Sequence, residues 1–214
     1  MKNICLTLIL AIILASSCKK DDDTSKKIMG PNFSFEGTPM ESLSPNTSLP
    51  EGLFDCGFAG ESSPDIHPVE NGVFGVTQTP YDGETYLGMV VRANDTWERI
   101  GIELETPLTA GKVYDFSIYL SRSLNYRNSN SSVASNFATP CILRIWGGFS
   151  MCQREELLAK SEAVEHEAWK EYKFEITPTL KVSHIVLEAF YMTPTPFPYN
   201  GNILLDNASG FIER

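Results

Sequence analysis

The sequence lacks most of the patterns by which enzymes and nucleic-acid-binding proteins are recognised. It has three histidines and no Cys-x-x-Cys, His-Glu-x-x-His, Gly-x-Ser-x-Gly or phosphate-loop pattern, so zinc, thiol-redox, serine-hydrolase and nucleotide chemistry have no support. Basic residues are scarce, since residues 28–214 carry 12 Lys and Arg against 24 Asp and Glu. Because an acidic surface repels phosphate backbones, nucleic acid is not expected as a partner.

Long hydrophobic runs are absent as well. The apolar run at 4–15 has about a dozen residues, whereas a bilayer core needs roughly 20. It ends at Ala15-Ser16-Ser17-Cys18, which resembles the lipobox of bacterial lipoproteins in the form found in the Bacteroidetes group. The resemblance implies that 1–17 are a signal peptide and that Cys18 is lipidated. An ordinary secreted protein cleaved near Ser17 is the alternative.

Residues 18–27 follow as a polar stretch that we expect to be a solvated tether. The stretch holds four lysines and three aspartates and no apolar side chain after Cys18, so it cannot pack into a core. Acidic residues a few positions after a lipidated cysteine, here Asp21 to Asp23, resemble an export signal to the outer face of the outer membrane. We therefore expect a lipid-anchored, surface-exposed outer-membrane protein, with the periplasmic leaflet as the alternative.

The apolar pattern of residues 28–214 predicts one all-β domain. In 113–120, Tyr114, Phe116 and Ile118 alternate with polar side chains, and this period of two is typical of a half-buried strand. Further strands are predicted at 73–77, 85–91, 99–103, 141–146, 169–176, 185–191 and 202–211. One window, 153–167, fits a short helix. The expected fold is an antiparallel β-sandwich or jelly roll with one short helix.

Three short motifs resemble the galactose-binding-like jelly-roll family, which includes carbohydrate-binding modules. They are Asn-Phe-Ser-Phe-Glu at 32–36, Glu-Arg-Ile at 98–100 before Pro-Leu-Thr-Ala-Gly-Lys-Val-Tyr at 107–114, and Leu-Leu-Asp-Asn-Ala at 204–208. The resemblance implies a jelly roll whose ligand is a glycan. In such folds the terminal strands often share a structural Ca²⁺, which implies Glu36 and Asp206 as oxygen ligands. A solvated glutamate and a turn-capping aspartate are the alternative.

Aromatic residues beside planar polar residues mark a candidate sugar site. Sugar rings stack on aromatic faces, while their hydroxyls need partners such as Arg and Asn. Two such groups are Trp97 with Arg99, and Tyr126 with Asn125 and Arg127. The second group lies in the long polar loop 121–139, and loops of that length are often functional. Packing in the core is the competing interpretation for each aromatic residue.

Cysteine and histidine positions give two weaker hypotheses. Cys141 and Cys152 flank a hairpin-like stretch and are predicted to form a disulfide in an oxidising compartment, with Cys56 free or paired with one of them. Asp65 and His67 could hold a metal or act as an acid/base pair. A structural loop in which the aspartate binds nearby amides is favoured instead.

The sequence therefore predicts a non-catalytic, surface-exposed lipoprotein that binds a glycan or another component of the cell envelope. It predicts contact with the membrane through the lipid anchor alone. Two alternatives remain: an adhesion or structural envelope protein that binds a protein partner, and a glycoside hydrolase that uses two of the many carboxylates.

Overall fold

The computed structural model describes residues 26–45, 47–128 and 135–214, and these form two facing β-sheets. The 15 strands in these residues are β1 (Lys27–Ile28), β2 (Phe54–Asp55), β3 (Asp65–His67), β4 (Tyr86–Arg92), β5 (Thr96–Trp97), β6 (Arg99–Leu108), β7 (Tyr114–Ser121), β8 (Arg127–Asn128), β9 (Ser135–Asn136), β10 (Thr139–Gly148), β11 (Glu156–Lys160), β12 (Lys170–Ile176), β13 (Val182–Tyr191), β14 (Gly201–Asp206) and β15 (Phe211–Glu213).

The first sheet has the strand order β12-β7-β14-β4-β3. β15 continues the line of β14 along β7, β1 pairs with β15, and β5 forms a hairpin with β4. The second sheet has the order β11-β10-β13-β6-β2, and all its pairs are antiparallel. The start of β10 also pairs in parallel with β14 and joins the two sheets. A two-stranded hairpin, β8-β9, stands apart from both.

One hydrophobic core lies between the two sheets. Alternate residues of each long strand enter it, such as Phe116 and Ile118 from the first sheet and Leu143 and Leu187 from the second. These side chains are at most 2% exposed. A second, smaller cluster covers the other face of the first sheet and includes Phe74, Tyr86 and Tyr126. Sheets packed face to face with alternating inward residues form a β-sandwich, which confirms the predicted fold class.

The predicted short helix at 153–167 is wrong. The residues Glu156–Lys160 form β11 and pair with β10 at the edge of the second sheet. The spacing of Leu157, Leu158 and Val164 fits a helical turn. However, the edge of β10 would otherwise be unpaired, and pairing with it satisfies the backbone hydrogen bonds of this segment. The predicted strand at 73–77 is a loop, and the predicted strand 202–211 is divided into β14 and β15.

The predicted disulfide Cys141–Cys152 is also wrong, because Cys152 pairs with Cys56. Cys141 lies near the start of β10 and points into the core, whereas Cys152 lies within the turn at 149–155 that joins β10 to β11. Seven residues of extended strand place about 23 Å between Cys141 and that turn. The two cysteines therefore lie at opposite ends of β10 and do not face each other across the hairpin.

The predicted signal peptide, Cys18 and the tether up to residue 25 lie outside the described residues. The predicted boundary at 27/28 falls inside β1, because Lys27 already pairs with Ile212. Within the described ranges no helix has the length and apolar character to cross a membrane.

Candidate ligand-binding site

The most highly organised polar cluster on the second sheet centres on Glu188 in β13. Its neighbours along the strand, Leu187 and Ala189, point into the core, so the period of two turns Glu188 to the opposite, outer face of the sheet. The Glu188 side chain is nevertheless fully buried by the groups around it. Burying a carboxylate is costly unless it is paired and hydrogen-bonded, so Glu188 needs such partners around it.

Four groups donate to or pair closely with the Glu188 carboxylate. The indole N–H groups of Trp97 and Trp146 donate to Oε1 and Oε2 at 2.7 and 2.6 Å. Arg154 Nη1 donates to Oε1 at 2.6 Å, and Arg144 Nε lies 2.9 Å from Oε2. Arg99 Nη1 is farther away, at 3.6 Å from Oε1. We call these six residues, with Glu188 at their centre, the Glu188 cluster.

Strand register explains why these residues meet. Glu188 faces Arg144 of β10 on one side and Arg99 of β6 on the other. Each arginine adjoins a residue that enters the core, so all three side chains share the outer face. Arg154 arrives from the turn between β10 and β11. The side chains of Arg99, Arg144 and Arg154 are 13%, 18% and 34% exposed, so Arg154 is the most accessible of the three, while Arg99 Nη1 and Arg144 Nε are buried.

Aromatic rings frame the arginines. The guanidinium of Arg144 lies 3.1 Å from the ring centroid of Phe190 and 5.5 Å from that of Trp146. Arg154 approaches the same Trp146 ring at 5.8 Å, and Arg99 lies 4.8 Å from the centroid of Phe58. Cation–π contacts of this kind stabilise the guanidinium groups at the faces of the aromatic rings. The cluster therefore presents planar hydrogen-bond donors between half-buried rings.

The positive charges of the cluster are not fully neutralised. Burial and the neighbouring Arg154 lower the pKa of Arg99, while Glu188 and Asp55 act in the opposite direction. Burial lowers the pKa of Arg144 as well; Glu188 opposes this shift, and Arg154 and Arg99 add to it. Glu188 is shared by three guanidinium groups, and the exposed Asp55 offsets part of the remaining charge at Arg99, so the surplus positive charge lies on the side of Arg144 and Arg154.

The five ligand-binding residues predicted from sequence are divided between two places. Trp97 and Arg99 belong to the Glu188 cluster, but Asn125, Tyr126 and Arg127 lie over the outer face of the first sheet. Tyr126 is 2% exposed, and its hydroxyl donates to Asp65, so it cannot serve as an exposed stacking platform as expected. The Asn125 amide donates to the Gly75 carbonyl oxygen.

Trp97 is half-buried, and its ring mainly packs. It makes edge contacts with Phe58 and Phe190, each at 4.9 Å between centroids, and with Tyr191 at 5.9 Å. Little of the Trp97 ring is therefore available for contact with a ligand. Its indole N–H instead orients Glu188. Trp146 is the more outward of the two indoles, since its ring contacts arginines at the surface and lies outside the core set.

A second polar site lies on the first sheet, where Asp65 and Glu98 line one cavity of about 40 Å³ together with Tyr126 and Arg92. The Asp65 carboxylate accepts from the Ser42 amide at 2.6 Å and from the Tyr126 hydroxyl. Glu98 accepts from the Val90 amide at 2.9 Å and pairs with Arg92. Burial, and for Asp65 also the charge of Glu98, raises the pKa of both carboxyls.

The Asp65 and His67 pair lies within this site and has a structural role, but the predicted loop is wrong here, because Asp65–His67 form β3 and pair with β4. Both side chains are buried, and the nearest atoms of the pair are 3.9 Å apart. Burial lowers the pKa of His67 to about 4, so the imidazole is neutral at pH 7. Asp65 binds a loop amide, as the favoured hypothesis required.

The raised pKa of Asp65 leads to a test by pH. A carboxyl whose pKa is higher in the folded state loses stabilising free energy as the pH rises from its unfolded to its folded pKa. Asp65→Asn removes this titration, so the stability of the variant relative to wild type should improve as the pH is raised from 4 to 8. Denaturant unfolding at both pH values measures the change.

Asp115→Asn is the matched control for the Asp65 test. Asp115 is an exposed partner of Arg214, which lowers the pKa of that carboxyl, so this variant should show no such gain. Parallel stability curves for wild type and Asp65→Asn would contradict the assignment.

The predicted calcium ligands lie on either side of one turn. Asp206 Oδ2 accepts from the amides of Tyr81 and Asp82, and Glu36 accepts from the amides of Glu84 and Thr85. Within the described residues Asp206 Oδ1 is buried without a hydrogen-bond partner, and burial raises the pKa of Asp206 to about 6. The same residues contain no group of three or more His, Cys, Asp or Glu side chains that could hold a metal. Asp206 thus caps a turn, as the alternative interpretation of the sequence held, and its Oδ1 is an oxygen of the kind that Ca²⁺ binds.

Comparison with known proteins identifies the fold and no family. No protein-family profile and no curated protein matches the chain. A Stig cyclase from Fischerella sp. TAU, solved in complex with an indole derivative, is 10% identical over 89% of this chain and 98% of its own, with a TM-score of 0.53. An apo cyclase from Fischerella sp. is 11% identical over 89% and 96%, with a TM-score of 0.52. The xylan-binding domain of Paenibacillus barcinonensis Xyn10C is 13% identical over 89% and 94%, at a TM-score of 0.41. At such identities the likeness to the cyclases shows a shared sandwich fold and leaves the ligand open.

Proposed function

We propose that this domain is a non-catalytic binding module and that a glycan docks on the Glu188 cluster. The observation that carries the proposal is the saturated Glu188 carboxylate, which fixes two indoles and two arginines at a sheet surface. Groups held in place before binding lose little conformational entropy when a ligand arrives. Aromatic faces for sugar rings and planar donors for hydroxyls lie side by side there.

A carboxylate-based hydrolase is the second candidate, because Asp65 and Glu98 have raised pKa values and line one cavity. Two observations weigh against it. The cavity of about 40 Å³ is far smaller than the roughly 300–1,000 Å³ of common ligand pockets. Both carboxylates also already bind protein donors, which leaves them as internal partners. Glycan binding at the second sheet is the better supported function.

The test is a glycan panel with the tether-free domain and two tryptophan variants. Trp146→Ala should lower affinity at least about tenfold, as expected for the loss of a central aromatic contact, while Trp146→Phe retains most of the binding. Trp169→Phe is the control, because Trp169 contacts Tyr86 and the Thr79 carbonyl on the other sheet. If the domain binds a protein partner but no glycan, the result would favour the alternative of an adhesion protein.

We also propose a structural Ca²⁺ bound by Glu36 and Asp206. A cation bound by the folded state alone adds RT ln(1 + [L]/Kd) to stability, ~2.7 kcal/mol at a hundredfold excess over Kd. Millimolar Ca²⁺ should therefore raise the thermal midpoint of wild type by several degrees relative to chelator. Asp206→Asn keeps the carbonyl acceptor for the amides and should lose the response. Equal wild-type midpoints in Ca²⁺ and in chelator would refute the site.

The location of the protein is likewise a proposal, supported by the sequence of the first 27 residues. We propose lipidation at Cys18 and display on the outer membrane surface. Palmitate labelling should disappear in Cys18→Ser, and protease treatment of intact cells should remove the domain.

A further inference from the structure

We propose that the glycan bound by the Glu188 cluster is anionic and that its carboxylate or sulfate groups pair with Arg144 and Arg154. This inference rests on the proposed function and names the class of ligand that the same face selects. It starts from the charge balance. Three arginines surround one carboxylate, so the cluster carries two positive charges in excess on a chain whose net charge is −10.

The Glu188 carboxylate has no room for further donors. Trp97 and Arg154 occupy Oε1, and Trp146 and the ion pair with Arg144 occupy Oε2. Arg99 Nη1 and Arg144 Nε are buried against this carboxylate, at 3.6 and 2.9 Å from its oxygens, so they are out of reach of a ligand. Like charges held close together are costly. An anion bound to the exposed parts of Arg144 and Arg154 would lower that cost.

The exposed parts of the cluster fit such an anion. Arg154 is 34% and Arg144 18% exposed, and both guanidinium groups approach the ring of Trp146. A guanidinium presents a planar fork of N–H donors that matches a carboxylate or a sulfate in two parallel hydrogen bonds. A sugar that carries the anion can stack on the neighbouring aromatic ring at the same time. A uronic acid and a sulfated sugar share this chemistry.

The net negative charge of the domain disfavours the binding of anionic ligands. Residues 28–214 carry twice as many acidic as basic side chains, so the domain as a whole repels polyanions. Binding of an anionic polymer therefore requires a local positive site, and the Glu188 cluster provides one. The affinity should fall with increasing NaCl, because the anion is bound close to solvent.

The test compares charged and neutral forms of one backbone. Purified tether-free protein is titrated with polygalacturonate and its methyl ester, and with dextran sulfate and dextran. We expect at least one charged polymer to bind about tenfold or more tightly than its neutral match, a difference of ~1.4 kcal/mol. The pair that responds distinguishes carboxylate from sulfate as the recognised group.

Two arginine variants locate the effect. Arg154→Gln should remove most of the preference for the charged polymer, whereas Arg214→Gln should retain it. Arg214 is an exposed arginine paired with Asp115 and Glu175 on the first sheet, so the control changes the net charge equally. Equal losses in the two variants would overturn the inference.

The remaining outcomes distinguish a failure of the anionic preference from a failure of glycan binding itself. Equal wild-type affinity for charged and neutral forms would overturn the anionic preference and leave glycan binding intact. Failure to bind these four polymers and every glycan of the panel would overturn both. The wild-type comparison decides the point even if Arg154→Gln does not fold, and a thermal midpoint establishes whether it does.

Discussion

Replacement of Glu188 with alanine is expected to lower the free energy of unfolding by about 3–5 kcal/mol. The variant leaves three arginines packed on the sheet without their shared carboxylate and leaves the indole N–H groups of Trp97 and Trp146 without an acceptor. Removing one partner of a buried charged network costs more than the net stabilisation by that network, because the remaining groups stay desolvated.

Denaturant unfolding of Glu188→Ala and of Glu103→Ala measures this effect. Glu103 is the control because it lies on β6 of the same sheet, two residues beyond Gly101, but is exposed. An exposed substitution of this kind should change stability by no more than about 0.5 kcal/mol. A Glu188→Ala variant as stable as the control would mean that the cluster is not organised by Glu188.

Loss of the disulfide in a Cys56→Ser and Cys152→Ser double variant should cost a similar amount, about 3–5 kcal/mol. The two cysteines are 96 residues apart in sequence, so the bond closes a long loop in the unfolded chain. It also ties the segment after β2 to the turn between β10 and β11, and in that segment the carbonyl oxygen of Cys56 accepts a hydrogen bond from Arg99 Nε. The double variant should therefore also weaken ligand binding by letting Arg99 move.

Cys141→Ala is the matched control for the disulfide. Cys141 is buried and is the cysteine among the described residues that stands outside the bond. Its replacement removes one sulfur atom from the core and should cost only about 1 kcal/mol. Peptide mapping under non-reducing conditions should recover a linked Cys56–Cys152 pair. A linkage through Cys141, or an equal loss in the control, would contradict the assignment.

The fold is readable from the sequence where one face of a strand is buried and the other is not. β7 shows this alternation up to Leu120 and β12 from Glu171 onward, because the outer side chains of these stretches are partly or fully exposed. Short strands such as β2 and β5 have too few residues to show any period. β11 resembles a helix in sequence because its pairing with β10, and not its own pattern, determines its structure.

Only part of the candidate site can be predicted from the sequence, for a related reason. Trp97 and Arg99 stand close together in sequence and indicate a polar and aromatic site. Glu188 and Arg144 each occupy outward positions on their strands, but the order β6-β13-β10 that makes them neighbours follows from the closing of the sandwich. No local signal predicts that order. The missed residues Glu188, Arg144 and Arg154 are recognised only once the strand register and the turn between β10 and β11 are known.

Tyr126 shows the opposite error. Its polar neighbours suggest an exposed loop, but Phe74 stacks on its ring at 5.7 Å between centroids, and Asp65 binds its hydroxyl. A buried tyrosine needs a partner for its hydroxyl, and that partner is 61 residues away in sequence. Polar composition around an aromatic residue therefore does not distinguish recognition from packing here.

The central claim is that a glycan docks on the Glu188 cluster, and the indole N–H resonances of the three tryptophans test it most directly. Trp97 and Trp146 both donate to Glu188, whereas Trp169 donates to the carbonyl oxygen of Thr79 in the loop before β4. In a ¹H–¹⁵N titration of the tether-free domain with a glycan that binds, the first two indole signals should shift together while that of Trp169 stays in place. A titration that moves Trp169 and leaves Trp97 and Trp146 unchanged would contradict the account.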